Sequence, residues 1–235
     1  MGKTNKYRES RAVIAILRLF SLLPFRLLYL WASFTGFVMQ HGLRYRRKVI
    51  TENLQRSFPD KSPQDIARIR REFYLHLADL MVETIKLISV PRREMEKRVI
   101  FTGRALELFK AYHEKGQSLI CLTGHQGNWE WTGPLFGYHQ PLAPVPAYLP
   151  LANPHFDALM MQIRGRYAHS LIPAEQVGRR LIRMLREEPP MAIGLIADQS
   201  PPQPHMLWVD FLNQKPAFNS GPEKVARMLR LPVCF

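Results

Sequence analysis

The chain has 235 residues, of which 46% are hydrophobic and 22% charged, a balance that excludes a disordered chain and gives one main domain with a proper core. Its formal net charge of +14 suits a polyanionic partner: nucleic acid, an anionic lipid surface or an acidic protein. No nucleic-acid module or basic–aromatic repeat is present, so nucleic acid is set aside and a membrane surface preferred. The two cysteines, Cys121 and Cys234, sit in apolar runs and read as buried thiols in a reducing compartment. They are too few for a disulfide framework, no second Cys/His pair supports a zinc site, and nothing points to a bound cofactor.

Residues 1–11 are polar and basic. From Ala12 to Met39 the chain is strongly apolar, but Arg18, Pro24 and Arg26 interrupt it. Its longest charge-free piece, Leu27 to Met39, is shorter than the roughly 20 residues that span a bilayer. The embedded arginines and the lack of a small-x-small cleavage site argue against a signal peptide. The pattern reads as a kinked, membrane-associating helical anchor, lying in the interface or partly inserted. Its arginines would reach the headgroups while Trp31 and the Leu and Phe side chains enter the acyl boundary. A tilted single span counted from Ala12 and a core helical hairpin are the alternatives. Basic residues flank both sides, with Arg44, Arg46, Arg47 and Lys48 on the far one, so no orientation follows. The domain division is then 1–44, a basic N-terminus and anchor, and 45–235, the main domain, whose C-terminal end reads as incomplete because the chain stops inside a strand pattern.

Residues 45–59 are rich in basic side chains and end in Phe58-Pro59. Ser62-Pro63-Gln64-Asp65 carries an N-cap, a first-turn proline and a near capping box. Ile66, Ile69, Phe73, Leu77, Leu80, Met81 and Ile85 follow at helical spacing, a stripe for core or membrane-facing packing. Pro91 closes that helix, and a short one runs from about Arg104 to Glu114, ended by Gly116. Leu119–Leu122 is a buried-strand pattern, and Gly124 and Gly127 bracket the turn after it. Residues 141–152 lack clear periodicity beyond an apolar Val145–Tyr148 piece. Asn153-Pro154 starts a helix through Phe156, Leu159, Met160 and Ile163 to Arg164-Gly165-Arg166. Val177 to Arg186 is a basic amphipathic helix halted by Pro189-Pro190. Met191–Ala197 is a second buried strand, ending in Asp198-Gln199. After a proline-rich segment come a helix, Gly221 to Arg230, and a strand start, Leu231 to Phe235. Strands alternating with helices give an α/β fold whose ligands gather at the carboxyl ends of the strands. His125 and Asp198 both fall at such ends.

His125 and Glu130 lie five positions apart, roughly 140° apart on a continuous helix. With His125 in the turn and Glu130 in the first helical turn they converge, and a carboxylate-braced imidazole can take a proton from an alcohol. The plainer alternative makes His125 a turn histidine and Glu130 a solvated residue that complements the helix N-terminus. Cys121, in its apolar run, reads as inert packing rather than a nucleophile.

The string Gly124-His125-Gln126-Gly127-Asn128-Trp129-Glu130 resembles the Gly-His-x-Gly-Asn-Trp-Glu signature of the bacterial lipid A biosynthesis acyltransferases. These are lauroyl and myristoyl transferases of the lysophospholipid acyltransferase-like superfamily with its H-x4-D/E motif. Tyr45–Pro59, with its Asn53-Leu54 pair, and Asp198-Gln199 resemble the family too, and the likeness runs from about Leu27 to Phe235. The resemblance implies an acyltransferase-like mixed sheet flanked by helices. It implies transfer of a fatty acyl group from a thioester to a lipid hydroxyl, with His125 as general base and Glu130 as its orienting partner. Backbone N–H groups near Gly127 and Asn128 would receive the oxyanion; the alternative is that Gly127 merely permits the turn while Asn128 caps the helix. An arginine one helix downstream holds an anion in the family. Arg164 fits that position best, with Arg166 close behind, and a solvated surface role is the alternative. Asp198 organises the arginines or a hydroxyl, or caps a helix. Tyr148-Leu149-Pro150 departs from the family's Tyr-Arg-Pro, which leaves a headgroup contact to Arg164 and Arg166. The implied donor is acyl carrier protein or acyl-CoA. The implied acceptor is a lipid A precursor, or else a lysophospholipid or other glycolipid, at the cytoplasmic face of a cell inner membrane. A non-catalytic membrane-binding protein on the same fold is the rival from another class.

Overall fold

The computed structural model describes residues 2–198 and 206–235, with side chains from Ala12 onward. It divides into a helical unit, residues 11–89 with 208–217, and an α/β unit built mainly from residues 90–198 and 218–235. The division read from the sequence at residues 44 and 45 falls inside the helical unit.

In the helical unit, α1 (Gly2–Ser21) and α2 (Phe25–Phe37) are separated by Pro24, and α2 runs on into one wide π turn, Val38–Gly42. Neither is long and apolar enough to cross a membrane, and no other helix among the described residues is. The apolar run from Ala12 to Met39 is interrupted at Pro24, the N-cap of α2, while Arg18 and Arg26 lie within the two helices. α3 (Arg47–Ser57) ends at Phe58, and α4 (Pro63–Lys86) begins under the expected cap, Ser62 Oγ accepting from the Asp65 N–H at 3.1 Å. One face of α2 packs on α4 through Leu28, Ala32, Ala78 and Val82. At Gly36 a Cβ would stand only 3.1 Å from the Tyr74 carbonyl, so a small residue is needed for this approach. The stripe expected on α4 is offset. Its buried residues are Ile66, Tyr74, Ala78, Val82 and Lys86, whereas Phe73 and Met81 are exposed. Small Ala78 lets α2 come close, and Tyr74 is buried because its hydroxyl donates to the Tyr45 carbonyl at 2.8 Å.

Lys86 is the unusual core residue, only 7% exposed. Its ammonium donates to the Ser21 and Leu23 carbonyls at 2.8 and 2.9 Å and lies 5.4 Å from the Phe25 ring centre. A cation there satisfies carbonyls that the end of α1 leaves without helical partners, and complements its negative pole.

The α/β unit opens with α5 (Arg92–Glu96) and α6 (Gly103–Glu114). Then come β1 (Leu119–Thr123), a 3-10 turn at Trp129–Trp131, α7 (Thr132–His139), β2 (Ala143–Tyr148) and α8 (Pro154–Gly165). β3 (Ile172–Pro173), α9 (Val177–Glu187) and β4 (Met191–Ile196) follow. Past the undescribed stretch lie β5 (Met206–Trp208), β6 (Ala217–Asn219), α10 (Gly221–Leu229) and β7 (Val233–Cys234). The main sheet has the order β3-β2-β4-β1-β7, and each of its pairings is parallel, which corrects the expected mixed sheet. Every connection within it contains a helix, and such crossovers return the chain to the same edge and so give parallel neighbours. β5 and β6 form a separate two-stranded sheet.

Alternation along the strands serves two layers. Leu119 and Cys121 pack with Phe109 and Phe136 on one face, while Ile120, Val145, Ile193 and Leu195 pack with Val177, Leu181, Met184 and Ala226 on the other. The sheet is therefore buried on both sides, as parallel sheets are. Replacing Lys86 by Met is expected to destabilise the protein by about 1.5–3 kcal/mol, the cost of stripping a charged donor from buried carbonyls. Thermal unfolding of the variant checks this.

Candidate active site

β1 and β4 are neighbours in strict register, with Thr123 opposite Ile196. Two residues beyond each strand end stand His125 and Asp198, so the register carries them to one place. His125 gives both its donors to this one carboxylate. Its backbone N–H reaches Asp198 Oδ2 at 2.6 Å, and ring Nδ1 lies 2.6 Å from Oδ1. An ionised carboxylate only accepts, so the proton of this bond sits on Nδ1 and the lone pair on Nε2. Trp129 meets the imidazole edge to face at 4.4 Å between ring centres.

Gly124 is what permits this closeness. A Cβ there would lie 3.0 Å from Asp198 Oδ2 and 3.4 Å from its Cγ, so a side chain would make the carboxylate give by a few tenths of an ångström. Gly127 serves differently, at a φ of +55° that favours glycine. Burial opposes ionisation of Asp198, but the bonds from the His125 ring and backbone outweigh it and hold the carboxyl below its ordinary range. Stability drawn from that pairing is present above the ordinary Asp pKa and is lost as pH falls through the lowered one.

Glu130 lies in the 3-10 turn and finds another partner. Arg164, in the last turn of α8, grips it with Nε to Oε2 at 3.0 Å and Nη2 to Oε1 at 2.5 Å, a two-pronged pair. The Glu130 side chain is 11% exposed and that of Arg164 24%, so water screens the pair little. The bracing that the spacing assigned to Glu130 is thus supplied by Asp198, and the arginine expected to hold an anion is occupied by Glu130. Arg166 is exposed, its guanidinium 5.4 Å from the Tyr167 ring centre. Asn128 precedes the 3-10 turn without a side-chain cap bond to it, so the capping alternative fails. Gln199 lies outside the described residues.

Cys121 and Cys234 are free thiols 3.4 Å apart on adjacent strands. The hydrogen bond with Cys234 and then burial push the Cys121 thiol up, which keeps it protonated and unfit as a nucleophile. The missed signal is the His125–Asp198 pairing. Both residues were visible at the ends of apolar runs, but nothing in the sequence said that the runs were neighbours.

Asp198→Asn is expected to keep the fold while lowering any turnover that uses His125 by about 10²–10⁴-fold, the usual weight of a general base. Gly124→Ala should lower it less, because the carboxylate need give only a few tenths of an ångström, and Glu130→Gln should instead free Arg164 without altering the His125 tautomer. Steady-state rates, with the imidazole nitrogens followed by NMR, check all three.

The sequence profile of the bacterial lipid A biosynthesis acyltransferases matches residues 3–234. A comparison with curated proteins gives no match. With a profile match over nearly its whole length, the chain belongs to the bacterial lipid A biosynthesis acyltransferase family and is an acyltransferase.

Proposed function

We propose that the protein moves a fatty acyl group from acyl carrier protein to a hydroxyl of a lipid A precursor at the cytoplasmic face of the inner membrane. His125 Nε2 takes the proton of the acceptor hydroxyl as its oxygen attacks the thioester carbonyl. The tetrahedral intermediate collapses, the carbon–sulfur bond breaks, and the leaving thiolate recovers the proton from the imidazolium. Asp198 holds the tautomer that leaves Nε2 basic and stabilises the cation formed between the two steps. Backbone N–H groups about Gly127 and Asn128 receive the developing oxyanion. Glu130 and Arg164 position the wall of the site as a fixed pair, and exposed Arg166 meets an acceptor phosphate. The observation that carries the reading is the 2.6 Å contact of His125 Nδ1 with Asp198 Oδ1.

Membrane association draws support from the face of α2 turned away from α4. Leu27, Leu30, Trp31, Phe34 and Phe37 follow the spacing of one helical stripe and are all exposed, and Val13, Ile16 and Leu19 continue the pattern on α1. Each such side chain moved from water into acyl chains gains about 1.5–3 kcal/mol. The helices then lie in the interface, as in-plane anchors do.

His125→Ala is expected to abolish radiolabelled acyl transfer while binding membranes as the wild type does. An unchanged rate sinks the enzymatic role of the dyad. Offering a lipid A precursor and a lysophosphatidate side by side assigns the acceptor. Trp31→Glu with Phe34→Glu should release the protein from anionic vesicles in a flotation assay, and retention by the double variant rejects the α2 anchor.

A further inference from the structure

α9 carries four arginines, and they do not share one role. Arg180 turns inward, its Nη1 donating to the Leu171 carbonyl at 3.3 Å. Arg179, Ile182, Arg183 and Arg186 stand at positions i, i+3, i+4 and i+7 and are all exposed, so they form a single stripe opposite buried Val177, Leu181 and Met184. Among the described residues, a carboxylate lies within 4.0 Å of only one of the three, Arg183, which sits 3.9 Å from an exposed Glu187. Beside the stripe, α10 contributes Met228, 55% exposed, whose Cε would be 3.2 Å from a Cβ on Gly178. Ile182 lies one turn further along the same side of α9. The surface is thus a stripe of guanidinium groups with a narrow apolar patch along one side.

Its placement matters. β3 and β4 run parallel in one sheet, so α9 between them must return in the opposite sense. Its first turn, with Arg179, therefore stands at the end of the sheet where the strands finish and where His125 and Asp198 meet. We propose that the Arg179–Arg183–Arg186 stripe of α9, with Ile182 and Met228 along one side, is the docking surface for the acidic protein that carries the acyl thioester. This rests on the acyl-transfer reading above and adds to it the surface that receives the donor. Charge complementarity favours that occupant: exposed guanidinium groups pair with carboxylates two-pronged, steer encounter and fix orientation. The two apolar side chains, Ile182 and Met228, suit the contact area of a transient protein interface. A membrane surface is the poorer fit, since the stripe lacks the Trp, Phe and Leu that enter the acyl boundary and that crowd the exposed face of α2.

The test titrates the full chain with a fluorescently labelled, lauroylated acyl carrier protein. The wild type should bind with an affinity that falls as salt rises. The triple substitution Arg179→Gln, Arg183→Gln, Arg186→Gln and, separately, Ile182→Glu should each weaken binding by about tenfold or more with melting temperatures unchanged. Binding by both variants equal to the wild type overturns the proposal, as does a wild type that binds phosphatidylglycerol vesicles through these arginines and not the carrier protein. Transfer from lauroyl-N-acetylcysteamine, a small neutral thioester, reports on the acyl-transfer reading separately. Carrier binding lost in the variants while this thioester is still turned over supports the docking surface. Carrier binding through the stripe by a wild type that turns over neither donor leaves docking standing and removes the catalytic reading instead.

Discussion

One hydrogen-bonded pair, the imidazole of His125 on the carboxylate of Asp198, depends on more of the fold than any other contact in the site. It needs β1 and β4 to be neighbours, to be parallel, and to be aligned with Thr123 opposite Ile196. A one-residue slip would move every side chain of a strand to the other face of the sheet. Leu119 and Cys121 would then trade places with Ile120, exchanging the contents of two packed layers. The register that aligns the dyad is therefore held by the hydrophobic cores on both sides, and the site inherits its rigidity from the packing. Gly124 completes the arrangement by leaving room for the carboxylate.

That dependence explains which parts of the site were legible in the sequence. The apolar run of β1, the turn glycines and the histidine between them are local features, and periodicity and turn chemistry suffice to find them. So are the Ser62 cap, the bounds of α8 and α9, and the strand ending at Asp198. The partner of His125 is not local. Sequence spacing favoured Glu130 because it is near in the chain, whereas Asp198 is brought in by a strand pairing across 73 residues. Short distance in sequence was mistaken for short distance in space.

The sheet and the helical stripes went astray for related reasons. A mixed sheet was expected from family likeness, but helices in every crossover of the main sheet enforce parallel pairing. Very short β3 and the β5–β6 pair escaped because a strand of two or three residues has no period to detect. On α4 the apolar stripe was real, yet the contact with α2 chose the line through Tyr74, Ala78 and Lys86 instead. Small side chains let helices approach, and polar ones can be buried when their hydrogen bonds are met. Counting large apolar residues alone misses both effects.

The two carboxylates of the site differ in what they hold, and exchanging their partners would fail. Had Glu130 braced the histidine, the Arg164 guanidinium would be left in a position only 24% exposed with no fixed counter-charge, a costly arrangement for an ion. Asp198, for its part, sits at a strand end within reach of the His125 backbone as well as its ring. Binding both donors of one residue fixes the ring relative to its own main chain, which a longer Glu side chain arriving from the next turn could do less rigidly. The shorter acid therefore holds the His125 ring, and the longer one spans the gap to an arginine on another helix. Each carboxylate stands where its length and its neighbour's charge leave the fewest unmet demands.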